Sequence, residues 1–302
     1  RRQRQMCIRD RNNSEDTMKK RKKICLFTIS LALFLVGIFH IYTWYNTNQK
    51  ITILNQKLQE KNGKTEKNNH NQNTLINPPH DVSDSYWLYT NTPFLEINFD
   101  KLIQENKDTV AWIEVMGTNI DYPIVQTNNN TYYLKHAFDN SISESGWIFS
   151  DFRNNLDALN QNTVFYGHGR LDGSMFGTLK NTLQETWYQQ KENHIIRLST
   201  PKENTIWQII SVYTIEQENY YITTHFTAEN FNTFLKTIQE RSIYKFNTTL
   251  NVNDKILTLS TCQNNFGLRM VVHAKLIKKE TREKQVSLNS LLPKSKQKTE
   301  AT

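Results

Sequence analysis

The stretch ICLFTISLALFLVGIFHI, residues 24 to 41, holds no charged side chain and constrains this chain more than any other feature. A helix rises about 1.5 Å per residue, so about 20 apolar residues cross the hydrocarbon core of a bilayer. Lys19, Lys20, Arg21, Lys22 and Lys23 precede the stretch, and Tyr42, Trp44 and Tyr45 follow it. Cations of this kind stay cytoplasmic, and Trp and Tyr settle at the headgroup level. A cleavable signal peptide has a shorter apolar core, about 7–15 residues, and a small-residue cleavage site. Here bulky aromatics stand in that place. The reading is an uncleaved signal anchor: single-pass in the cell membrane through residues 24–44, N-terminus cytoplasmic, the rest on the extracellular face.

That reading sets the charge balance. The chain of 302 residues carries a net charge of +8. Residues 1–17, read as a doubtful, non-native leader, hold +2, and residues 19–23 hold +5, which leaves +1 outside the membrane. The basic balance therefore belongs to the anchor, and nucleic acid is not an expected partner, since that needs basic residues concentrated on the folded domain. Of the three cysteines, Cys7 lies in the leader and Cys25 in the apolar run. Cys262 is the one exported thiol, in a compartment where disulfides are the common use. A lone exported thiol points to intermolecular pairing or to a nucleophile.

Composition divides the remainder. Residues 46–85 are rich in Asn, Lys and Gln and end in NPPHDVSDS, which reads as a polar stem, with a short helical pattern at Ile51, Leu54 and Leu58. Residues 281–302 read as a polar, disordered tail. With the basic segment and anchor at 18–45, this leaves 86–280 as the main folded domain. Its texture is mainly β: AWIEV (111–115), NIDYPIVQ (119–126), GWIFS (146–150), NTVFYGH (162–168), HIIRLS (194–199), NTIWQIISVYTI (204–215), KILTLS (255–260) and LRMVVHAKLI (268–277). Helices are expected at 99–108, near 175–183 and at 228–241, the last with Phe231, Phe234, Leu235 and Ile238 on one face. The expected fold class is mainly β, a barrel of eight strands with helical insertions.

Strand alternation then brings chemistry together. Leu257 and Leu259 share one face, and Thr258, Ser260 and Cys262 the other. In the next strand Leu268, Met270, Val272 and Ala274 are apolar, with Arg269, Val271 and His273 opposite. An antiparallel hairpin with both apolar faces inward puts Cys262 and Arg269 on the outer face, beside the connecting loop. A guanidinium there favours thiolate and can stabilise an oxyanion. His168 ends a strand in VFYGHGRLDGS, where Gly167 and Gly169 are expected to let the chain turn and leave the imidazole reachable as a proton carrier. His136 and His273 read as structural. Spacing alone leaves the plainer alternatives open: Cys262 as a small buried side chain, and Arg269 paired with a surface acid.

The segment Thr258-Leu259-Ser260-Thr261-Cys262, with Arg269 opening the next strand and His168 upstream, resembles the TLxTC signature of the sortases, membrane-anchored cysteine transpeptidases of Gram-positive bacteria. Serine in the middle of the signature is similar to class B. So are WIEVMGTNIDYPIVQ (112–126), YYLKHAF (132–138), GWIFSDFRN (146–154), VFYGH (164–168), MFGTL (175–179) and the helical insertion at 228–241. The connector Gln263 to Leu268 departs from class B, being shorter and uncharged.

The resemblance implies a mechanism. Cys262 would attack the threonine carbonyl of an NPxTx-like C-terminal sorting motif on a secreted protein. Arg269 would position the substrate and stabilise the oxyanion. His168 would act as general acid and base, and a peptidoglycan amine would resolve the thioester. Ser260 would contact the sorting peptide. No cofactor and no metal is implied. Three alternatives stay open: a pilin-polymerising class B sortase using a lysine acceptor, a cysteine protease hydrolysing the same acyl-enzyme, and a non-catalytic anchored binding module.

Overall fold

Strand periodicity builds a ring. The computed structural model describes residues 2–62, 65–67, 74–75, 89–216, 218–262 and 267–282, with backbone alone for 2–18, for the described part of 61–75 and for Cys262. In chain order the elements are α1 (Arg2–Asn62), β1 (Thr65–Lys67), β2 (Thr74–Leu75), β3 (Phe94–Glu96), α2 (Phe99–Glu105), β4 (Thr109–Val115), β5 (Asp121–Val125), β6 (Phe149–Ser150), β7 (Asn162–His168), α3 (Glu185–Tyr188), β8 (Ile195–Ser199), β9 (Glu203–Ile215), α4 (Ala228–Arg241), β10 (Ile256–Cys262) and β11 (Arg269–Thr281). Eight of the strands pair in the order β10-β7-β6-β5-β4-β8-β9-β11, and β11 pairs back onto β10. This closed barrel is the fold the sequence predicts, and each of its strands falls on a predicted segment. Closure removes free sheet edges. The β10–β7 and β5–β6 pairings are parallel and the others antiparallel. Short β1 pairs with β3, and β2 pairs with the far end of β11.

The barrel is filled by large side chains, with Trp112, Trp147, Phe165 and Trp207 fully buried. α4 occupies the predicted residues. Thr227 caps it, its hydroxyl accepting from the Asn230 amide at 3.3 Å. Phe231, Phe234, Leu235 and Ile238 pack on Tyr213, Ile215, Ile256 and Val271 of β9, β10 and β11. Burying each such side chain contributes about 1.5–3 kcal/mol.

Three boundaries differ from expectation for identifiable reasons. α2 stops at Glu105 rather than Asp108, because the Asn106 amide donates to Tyr133 Oη at 2.8 Å and to the Phe138 carbonyl at 2.6 Å. The segment near Met175 is a 3₁₀ helix over Gly177–Leu183. β11 runs to Thr281, past the apolar pattern and into the predicted tail; Lys278 is buried there and donates to the Thr90 carbonyl at 2.7 Å.

The chain forms two compact units, Arg1–Ile51 and Thr52–Thr302. In the first, the large apolar side chains from Ile24 to Tyr45 are exposed, and the helix is long and apolar enough to cross a membrane. In the second, α1 continues through residues expected to be stem. Leu58 is buried, the Asn55 amide donates to the Asp121 carbonyl at 3.2 Å, and the Gln59 amide donates to it at 2.9 Å. Residues 63–64, 68–73 and 76–85 of the expected stem, 86–88 at the start of the expected domain, 263–266 of the connector and 283–302 of the expected tail lie outside the described residues.

Candidate active site

β10 lies between β7 and β11, and the register of both pairings fixes what stands beside Cys262. On the parallel side Cys262 is opposite His168; on the antiparallel side it is opposite Arg269. Directly opposed residues of neighbouring strands occupy the same face of the sheet, with Cβ atoms about 4.5–5.5 Å apart in antiparallel pairs. His168, Cys262 and Arg269 are thus consecutive positions in one row across three strands. The row lies where β7 and β10 end and β11 begins. The hairpin half of this arrangement follows from sequence alternation. The β7 half does not, because a parallel neighbour 94 positions away leaves no local signal.

His168 and Arg269 are each half-buried. His168 Nε2 donates to the Leu134 carbonyl at 2.8 Å, which orients the ring and leaves Nδ1 for proton exchange. Leu134 lies within YYLKHAF, so that segment supplies the support for the imidazole; the residues give no hint of it, because the contact is made by backbone. The flanking glycines act otherwise than expected. Gly167 stays within the strand, and a Cβ there would lie 2.9 Å from the Phe176 ring. Its role is close packing, not a turn. Gly169 bridges to Met175 as the chain leaves the strand.

The face carrying the row is covered below it, which corrects the expectation of an outer, open surface. Thr258, Ser260 and His273 are all buried, because α4 and the segment before it bring apolar side chains over them. Ser260 lies two residues before Cys262 on the same face, opposite Tyr166 and Val271. Its hydroxyl has no hydrogen-bond partner among the described residues. His273 Nδ1 lies 2.8 Å from Thr258 Oγ1 and Nε2 lies 2.8 Å from Tyr213 Oη, and burial pushes its pKa down to about 3. It is a neutral internal link, as the sequence reading held. His136 donates from Nδ1 to the Tyr132 carbonyl at 2.8 Å and stacks on the Tyr132 ring. Among the described residues, no cluster of His, Cys, Asp or Glu is placed to hold a metal.

A family model for the sortase domain matches residues 113–277, the barrel from β4 to β11. Sortase B of Listeria monocytogenes serovar 1/2a is 36% identical over 178 residues, 58% of this chain and 72% of the relative. Among solved structures, sortase B from B. anthracis in complex with AAEK1 superimposes with a TM-score of 0.62 at 32% identity, covering 78% of this chain and 99% of that one. A Staphylococcus aureus sortase B–substrate complex gives a TM-score of 0.56 at 36% identity, over 60% and 84% of the two chains. Fold and sequence thus define a cysteine transpeptidase. The chain belongs to the sortase family, and within it to class B.

Proposed function

We propose that this sortase cleaves an NPxTx-like sorting motif after threonine and joins the released carbonyl to a peptidoglycan amine, fixing secreted proteins to the cell wall of a Gram-positive bacterium. Cys262 as thiolate attacks the threonine carbonyl. Arg269 donates hydrogen bonds to the oxyanion that forms there. The C–N bond then breaks, His168 gives its Nδ1 proton to the departing amine, and a thioester remains on Cys262. The incoming amine loses a proton to His168, attacks the thioester and forms the new amide, which frees the thiolate. The chain works as a single-pass membrane protein, held through residues 24–44, with Lys19–Lys23 cytoplasmic and the barrel outside.

The observation that carries this reading is the row of His168, Cys262 and Arg269 at one level of the barrel. It gives nucleophile, proton carrier and oxyanion donor adjacent positions with no metal in the scheme. The test is intact-mass spectrometry of the full chain in detergent with NPxTx and LPxTG peptides, with and without glycine or diaminopimelate. A thioester adduct on the wild type, absent in Cys262→Ala and converted to amide product by amine, is the expected result. An adduct that only hydrolyses would argue for a protease. Lysine capture in preference to the wall amines would argue for pilin polymerisation. No adduct from a folded chain would argue for a binding module.

A further inference from the structure

GWIFSDFRN contains a charged pair that the transpeptidase chemistry does not use. Asp151 follows β6 directly and is fully buried. Arg153 donates to it from Nε at 2.8 Å and from Nη2 at 2.7 Å, and its backbone amide adds a bond at 2.9 Å. Tyr166 Oη donates to the same carboxylate at 2.8 Å and the Asn130 amide at 3.0 Å. Burial opposes ionisation of Asp151, but the bonds from Arg153 and Tyr166 outweigh it and hold the carboxyl below its ordinary range. A buried carboxylate so fully bonded is a fixed point.

What it fixes lies on another part of the chain. Arg153 Nη2 also donates to the Ile222 carbonyl at 2.9 Å. On either side of that residue, the Asn162 amide of β7 donates to the Tyr221 and Thr223 carbonyls, both at 2.9 Å. Three successive carbonyls of the segment before α4 are therefore held by two side chains, one rooted in β7 and one in Asp151. The segment crosses the same face of the barrel as the His168–Cys262–Arg269 row. Asp151 is bonded through its amide to the Val164 carbonyl, four residues below His168 on β7. At about 3.3 Å per strand residue that is roughly 13 Å, the length of about four residues of extended peptide. A sorting peptide bound with its threonine at Cys262 and running down beside β7 would span that distance.

The geometry points to Arg153 as a positioning residue: carried by Asp151, it holds the Tyr221–Thr223 segment as the wall against which the sorting peptide lies. This deepens the proposed function and rests on it for the peptide. The guanidinium is required, because it forms a two-point contact with Asp151 and reaches the Ile222 carbonyl at the same time. A lysine ammonium has no planar fork and satisfies one side of the bridge at a time.

The test compares wild type, Arg153→Ala and Arg153→Lys as full chains in detergent. Arg153 is well suited to replacement, its side chain being 40% exposed. Amide hydrogen exchange over residues 219–226 should rise about tenfold in Arg153→Ala, with Arg153→Lys between it and wild type and exchange in β7 and β10 unchanged. Whichever of the NPxTx and LPxTG peptides forms the adduct should show KM raised about fivefold or more in Arg153→Ala, with kcat within about twofold, the pattern of lost binding. The pH profile of Cys262 alkylation by iodoacetamide should not move. Unchanged exchange at 219–226 overturns the brace whatever the activity. Raised exchange with unchanged KM, or a fall in kcat at constant KM, overturns the positioning role. If the wild type itself forms no adduct, the functional reading fails and exchange alone decides the brace.

Discussion

At the scale of single residues, the hydrogen bonds around His273 have a determined direction. The Asn162 amide gives its protons to the Tyr221 and Thr223 carbonyls, so its Oδ1 accepts from Thr258 Oγ1 at 2.6 Å. Thr258 has one proton, so its oxygen accepts from His273 Nδ1. His273 Nε2 then accepts from Tyr213 Oη, which accepts from Tyr220 Oη at 2.6 Å. This chain needs a neutral imidazole, and burial enforces it by pushing the pKa down to about 3. The unfolded chain takes up a proton near pH 6.5, so the stability His273 contributes is complete above that value and declines as pH falls toward 3. Between pH 7.5 and 5.5 the loss from this residue is about 1 kcal/mol. His273→Gln should cost about 1–3 kcal/mol at pH 7.5 and remove that part of the pH dependence, read from urea midpoints at the two pH values. Parallel pH dependences in wild type and variant would assign the effect to other groups, His194 first among them, whose pKa burial also lowers. The sequence separates His168 from His273 by context, a Gly-His-Gly strand end against a strand interior. Their partners were not legible, because Thr258, Asn162 and the Leu134 carbonyl meet these rings through tertiary contacts.

At the scale of elements, period-2 alternation reports burial directly, so all eight barrel strands could be read, and so could α4 with its apolar stripe at helical spacing. Phe234 tests that stripe. It lies 5.7 Å from the His273 ring at an interplanar angle of 84°, edge to face, and packs among residues of three strands. Phe234→Ala should cost about 3–5 kcal/mol in a denaturant titration, the range for a large aromatic whose cavity does not collapse. A loss below about 1 kcal/mol would mean that α4 rides on the barrel without adding to its core. Elements held by polar bonds were less legible. The end of β11 carries Lys278, Lys279 and Glu280, which lie past the apolar pattern that ends at Ile277, yet they continue the strand. Lys278 is carried by the Thr90 carbonyl and by the Phe94 ring 4.7 Å from its Nζ, and the Asn204 amide donates to Glu280 at 2.9 Å. Arg153 escaped notice for the same reason: a surface-type residue whose one buried partner is two positions away.

At the scale of the whole molecule, composition marks residues 46–85 as solvated stem, but the helix that holds the apolar run continues to Asn62, and its last turns belong to the barrel unit. Leu58 is 1% exposed, and Asp121, which accepts the Trp112 indole proton at 2.7 Å, also accepts from Asn55 and Gln59. The part of the helix from Thr52 to Asn62 is short enough to be marginal in water on its own, so in a fragment that begins there its order depends on that docking. Burial of Leu58 contributes about 1.5–3 kcal/mol and each amide bond about 0.5–1.5 kcal/mol, against about 1–2 kcal/mol per residue for ordering the backbone. The net contribution is small but decides where a stable fragment can begin. A fragment starting at Thr52 should unfold at a higher urea concentration than one starting at Tyr89. Because the shorter fragment also loses β1 and β2, the decisive comparison is Leu58→Ala within the longer one. That substitution should cost about 2–3 kcal/mol, near the lower end for a buried leucine because one side of the site is a helix end able to settle. Equal midpoints for the Thr52 fragment with and without Leu58→Ala would mean that the catalytic unit begins after Asn62 and that the helix end adds nothing to it.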